Sequence, residues 1–231
     1  MIFILKLNIE KNTYESDYIR IDANIRLYDL LEDLNSCKNL FGIENIINNT
    51  VFLNLDANIT LTECILSENI RILILPLLLS LDAFIELESS NYERTVLIRH
   101  FIKSENKIDL KVNETIKEVI IKKIYTNSIV SFDSIFYNNK LFVNSLLLKL
   151  DKNNIADIFI ISYDRKQTIK RNLNIELALI NKKIDTNIIN VACRLNSILM
   201  PKYKYTYDFD LMIANYILKK NLKKCIEYSE R

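Results

Sequence analysis

The chain has 231 residues, with one Gly (Gly42), two Pro, one His (His100) and no Trp. Phosphate-cradling loops, dinucleotide-binding turns and nucleophile elbows each need several glycines, so this composition excludes their usual forms. A single His likewise excludes multi-His zinc sites and most imidazole acid–base pairs.

With 49% hydrophobic residues the chain can bury a core. Ile, Asn and Lys supply 38, 28 and 22 residues, a bias that reads as an A/T-rich genome. The net charge of +2 is unevenly spread. Residues 1–165 carry 18 Lys+Arg against 23 Asp+Glu, and residues 166–231 carry 13 against 6. Cys37, Cys64, Cys193 and Cys225 form no C-x-x-C and read as small core residues in a reducing compartment. The opening MIFILKLNIE lacks a basic n-region. The longest charge-free apolar stretch, Ile72–Leu81, is far shorter than the roughly 20 residues a membrane span needs. A cytoplasmic protein is expected, or a nuclear one, without a membrane partner, small-molecule substrate, metal or cofactor.

In chain order, Met1–Ile9 and Tyr18–Ala23 read as strands. Asn24 is a candidate cap for a helix with Leu27, Leu30, Leu31, Leu34 and Cys37 on its apolar face, and Gly42 suits its stop. Thr50–Leu55 reads as a strand, TLTECIL as a turn or 3₁₀ segment, and Asn69–Leu75 as a buried strand. The order then recurs. Thr95–Lys103 and Lys107–Asn113 read as a hairpin, although AFIELE and TVLIRHF could pair instead. TIKEVIIKKIY reads as a helix whose Thr115 and Glu118 form a capping box. Ser134–Tyr137 and Lys140–Val143 flank an Asn138-Asn139 turn, and IADIFIIS is a final strand. Beyond residue 165, Ile175–Ile184, Ile188–Leu199 and Leu211–Tyr228 have helical periodicity.

This pattern resembles the ubiquitin-like β-grasp, twice. The second copy, KIDLKVN–TIKEVIIKKI followed by SIFYNNKL and LLLKLDKNNIADIFII, is the closer match. The resemblance implies an α+β chain. Its ubiquitin-like lobes would occupy residues 1–76 and 95–165, joined by a partly apolar linker over 77–94 and followed by a basic helical module over 166–231. A weaker similarity is to the start of FERM domains. Ubiquitin-like modifiers are attached through Gly-Gly, whereas this chain ends CIEYSER, so an unconjugated protein-binding adaptor or assembly subunit is expected rather than an enzyme. The positions matching ubiquitin's apolar patch are Ile135 and Phe159, with Asp157 where that patch has a basic neighbour.

The tail supports a competing reading. Lys202, Tyr203, Lys204, Tyr205 and Tyr207 interleave cations with aromatic rings, and Lys219, Lys220, Lys223 and Lys224 follow. Rings stack on bases while lysines neutralise phosphate, so ribosomal or other RNA is an alternative partner. The same charge split also fits a tail docked on its own chain. No residue set is a catalytic candidate: His100 has no Asp, Ser or Cys beside it in sequence.

Overall fold

The computed structural model describes residues 17–52, 55–104, 107–124, 127–137, 140–163, 169–199 and 207–230. In chain order the elements are β1 (Tyr18–Asp22), α1 (Leu27–Asn35), β2 (Leu40–Phe41), α2 (Ile43–Phe52), α3 (Leu61–Leu66), a 3₁₀ turn (Arg71–Leu73), α4 (Leu75–Ser80), β3 (Phe84–Glu88), β4 (Glu93–Leu97) and α5 (Ile98–Phe101). There follow β5 (Ile102–Ser104), β6 (Lys107–Ile108), β7 (Thr115–Lys122), β8 (Ser128–Tyr137), β9 (Lys140–Asp151), β10 (Asn154–Tyr163), β11 (Ile169–Arg171), α6 (Leu173–Leu179), α7 (Thr186–Leu199) and α8 (Tyr207–Ser229). They divide into two compact units, Met1–Lys38 with Ile46–Lys123, and Asn39–Asn45 with Ile124–Arg231.

The first unit is built on an antiparallel sheet of order β1-β7-β3-β4. Ile21, Val119 and Ile85 stand side by side across β1, β7 and β3, and all three are buried. Glu86 and Glu118 are also direct neighbours, a like-charge pairing that costs stability on its own. Arg20 of β1 offsets it by bonding both carboxylates, at 2.6 and 2.5 Å. Helix α1 buries Leu27, Leu30, Leu31 and Leu34, as the leucine spacing predicts. Its N-cap is Arg26 rather than Asn24. The TLTECIL segment is a short helix, α3, with a capping box between Thr60 and Glu63.

Several expected elements differ. The segment from Thr115 is the central strand β7, not a capped helix. Five of its eight residues (Thr115, Ile116, Val119, Ile120 and Ile121) are β-branched, and their stiff χ1 angles suit a pleated surface between two neighbours. Glu118 pairs with Arg20 instead of closing a box. Residues 69–75, expected as a strand, hold the 3₁₀ turn and the start of α4, with Pro76 in the first helical turn where its missing N–H costs nothing. The region expected as a strand from Thr50 is helical through Phe52. Segment 77–94 holds most of α4, all of β3 and the first two residues of β4, and these two strands form the alternative hairpin, Phe84 opposite Leu97. His100 is exposed in α5, not in a strand.

The second unit has a five-stranded sheet of order β11-β10-β9-β8-β2, antiparallel except for the β2–β8 pair. Three C-terminal helices overlap the periodic segments, α6 ending at Leu179 rather than Ile184, but they are not a separate module. Ile175 and Leu179 of α6, Ile188 and Ala192 of α7, and Leu218, Leu222 and Cys225 of α8 share one core with Ile129, Leu146, Leu148, Ile158 and Ile160 of the sheet. Each fully buried Leu or Ile contributes about 1.5–3 kcal/mol. Two sheets of these orders, the second with helices on its face, replace the expected pair of β-grasp lobes and basic tail. The expected Met1–Ile9 strand and the Asn138-Asn139 turn lie outside the described residues.

Gly42 follows β2 with φ +86. A Cβ there would meet the Phe132 carbonyl oxygen at 1.8 Å, so both the backbone conformation and the close approach of β2 to β8 demand glycine. Gly42→Ala is expected to destabilise the protein by about 3 kcal/mol or more, read by urea unfolding.

Candidate functional site

Two polar clusters stand out from the apolar cores. In the first unit Arg94 of β4 forks onto Glu114, with Nε to Oε1 at 2.7 Å and Nη2 to Oε2 at 2.8 Å. Arg94 Nη1 reaches Asp109 at 2.8 Å, and Lys103 holds the other oxygen of Asp109 at 2.5 Å. Tyr92 Oη and the Lys111 N–H also donate to Glu114, whose side chain is fully buried. Charge-assisted bonds of this kind favour the carboxylate form. The Arg94 guanidinium, acting against desolvation, holds Glu114 down at about 2. Lys103 and then Arg94 bring Asp109 to about 2.

In the second unit a polar belt crosses the helix–sheet interface. Asn221 of α8 is fully buried. Its amide donates to the Asn144 backbone oxygen at 2.9 Å and to Asn144 Oδ1 at 2.8 Å, and its own oxygen accepts from Ser131 Oγ at 2.7 Å. Asn144 Nδ2 donates to Ser162 Oγ, which also receives Asn172 Nδ2 just before α6. The belt thus runs from α8 through β8, β9 and β10. Beside it the buried Asp133 of β8 is paired with Lys220 at 2.7 Å, with Lys224 at 4.0 Å, and accepts from Asn45 Nδ2. At the other end the buried Glu176 of α6 accepts the Ile160 N–H at 2.7 Å and binds Arg171, whose guanidinium lies over the Phe159 ring at 4.3 Å.

These clusters can hold and orient, but they are not nucleophile–base pairs. Among the described residues no group of three or more His, Cys, Asp or Glu could hold a metal. Burial pushes the Cys64 and Cys225 thiols up to about 12, so both are neutral thiols near pH 7. Burial also raises Cys37 and Cys193.

The residues singled out for protein binding are not brought together. Ile135 packs against Ile213, Ile217 and Phe142 on the helix-facing side of the sheet. Phe159 alternates with Ile158 and Ile160, which face the helices, and so lies on the opposite side. Asp157 pairs with Lys149 at 3.7 Å. Of the lysines assigned to RNA, Lys220 and Lys224 turn onto Asp133 and Lys223 pairs with Glu227, while Lys219 is exposed. Lys202, Tyr203, Lys204 and Tyr205 lie outside the described residues, and Tyr207 begins α8. No helix among the described residues is long and apolar enough to cross a membrane. Arg94, Glu114, Asn144 and Asn221 were not candidates from sequence. The Arg94 and Glu114 partners are 20 positions apart, and two buried asparagines do not stand out among 28.

No protein-family model and no curated protein matches the chain. Solved structures do. Over 93% of this chain and 77% of the other, it superposes with a TM-score of 0.70 and 15% identity on a carbon monoxide dehydrogenase from Hydrogenophaga pseudoflava that lacks the Mo-pyranopterin moiety of its molybdenum cofactor. It superposes equally well, at 12% identity and the same coverage, on a Cu,Mo-CO dehydrogenase in its cyanide-inactivated form. A quinoline 2-oxidoreductase from Pseudomonas putida 86 matches at TM-score 0.70 and 16% identity, over 94% of this chain and 77% of the other. The chain therefore has the fold of these oxidoreductase chains, and the tandem ubiquitin-like reading is corrected. The non-catalytic adaptor and the exclusion of enzymes, which rested on that reading and on the absence of motifs, and the RNA-associated alternative, which rested on the Lys/Tyr-rich tail, are corrected with it. The described side chains do not fit a molybdenum or copper centre: among them no group of three or more His, Cys, Asp or Glu comes together to ligate one.

Two outcomes follow from the clusters. Glu114 and Asp109 titrate below their ordinary 4.5 and 3.8, so their contribution to stability is complete above those values and is lost as pH falls toward 2. Unfolding free energy should drop over that window, with a shallower slope in Arg94→Gln. Asn221→Ala leaves buried groups of Ser131 and Asn144 unpaired and should cost about 2–4 kcal/mol. Paired with Asn144→Ala in a double-mutant cycle, it should show marked non-additivity.

Proposed function

We propose that the chain is a component of an oxidoreductase of the kind its structural neighbours are named for. The observation that carries this reading is the superposition at TM-score 0.70 over nine-tenths of the chain, seen both with a carbon monoxide dehydrogenase and with a quinoline oxidoreductase. Those two names differ in substrate, so the shared fold argues for the redox class and not for either substrate. Because its described side chains assemble no metal-ligand cluster, the chain works beside another protein chain that supplies any metal centre. Its own part is to present two rigid units, each pinned by a buried polar cluster.

The test is purification of the tagged chain from its native cells under mild conditions. The expected result is a complex that contains a redox-active group visible by absorption spectroscopy and, once that group is reduced with dithionite and the excess removed, passes its electrons to an artificial acceptor. A chain recovered with no redox-active group and no such activity would contradict the reading.

A further inference from the structure

Arg71 opens the 3₁₀ turn between α3 and α4 and is buried, with 6% of its surface exposed. Two arms of its guanidinium are fixed: Nη2 donates to the Leu66 carbonyl at 2.9 Å and Nε to the Ser67 carbonyl at 3.3 Å. The third, Nη1, is sealed from solvent and has no hydrogen-bond partner. Among the described residues no carboxylate makes an ion pair with it. Glu68, exposed on the same turn, acts on it only through space. The flanking residues Ile72, Leu73 and Ile74 are apolar and buried. An uncompensated guanidinium in such surroundings is costly, and buried cations are ordinarily paired.

We propose that Arg71 is the handle of an oxyanion-binding site in the first unit, taking the phosphate or carboxylate group of a small ligand. The planar guanidinium matches both groups, and its two carbonyl bonds aim the vacant N–H in one direction. Water could satisfy that N–H but not the charge. The site is reached by local opening of the turn, whose flanking helices have six residues each. The inference is independent of the oxidoreductase reading.

The test is the Tm of the full chain in inorganic phosphate, in acetate and in chloride at matched ionic strength. Wild type should gain several degrees in phosphate or acetate over chloride, and whichever anion acts identifies the group recognised. Arg71→Met keeps the volume and removes the charge. It should fold at least as stably in chloride and lose the anion-dependent gain. Arg71→Lys, which keeps the charge without the fork, should retain part of the gain and covers the case in which the methionine variant fails to fold. An equal Tm in all three salts, or a gain that survives in Arg71→Met, would overturn the proposal, because general salt stabilisation acts on both proteins alike.

Discussion

The second unit turns on one buried amide. Asn221 sits in the middle of α8 on a face otherwise made of Ile217, Leu218, Leu222 and Cys225. A polar group placed there is costly unless both ends of the amide find partners. They do so only in one register, with the donor on Asn144 of β9 and the acceptor on Ser131 of β8. The apolar residues of α8 could slide along the sheet at modest cost, whereas the amide cannot. The ion pair of Lys220 with Asp133 lies one residue away and enforces the same register. Helix position, strand pairing and the shared core of the unit are therefore coupled through a few polar atoms.

Composition and structure meet at the turns and in the core. Where the backbone needs φ > 0, the chain uses Asp82, Asn113, Lys152 and Asn181, and Asn and Asp tolerate that region better than most residues. Glycine is kept at Gly42, where a side chain would run into the backbone of Phe132. Asparagine serves a second purpose inside, in Asn144, Asn196 and Asn221, where its amide can both donate and accept. The 28 asparagines of the chain thus furnish turns and buried hydrogen-bond partners alike.

The legible parts were local. The leucines of α1 repeat at helical spacing, the runs Ser134–Tyr137, Lys140–Val143 and IADIFIIS lie within β8, β9 and β10, and α7 and α8 show their period. The illegible parts were decided by partners distant in sequence. TIKEVIIK has apolar residues at i, i+3 and i+4 and an apparent capping box, yet it is also rich in β-branched residues. Only the flanking positions of β1 and β3 select the strand. NIRILIL is too short for periodicity to separate strand from helix. The same strand–helix order that suggests a β-grasp is produced here by different pairings, so element order misled where register would not have. The polar clusters were hidden for a related reason: Arg94 with Glu114, and Asn221 with Asn144, meet only after folding.

The first unit has the sheet order β1-β7-β3-β4 in place of a β-grasp with a helix at residues 115–124. Backbone NMR on the full chain tests it most directly. The expected spectra show cross-strand contacts from Val119 to both Ile21 and Ile85, with extended-chain shifts over 115–122. Helical shifts over that segment, with contacts between residues three apart and none to Ile21 or Ile85, would contradict it.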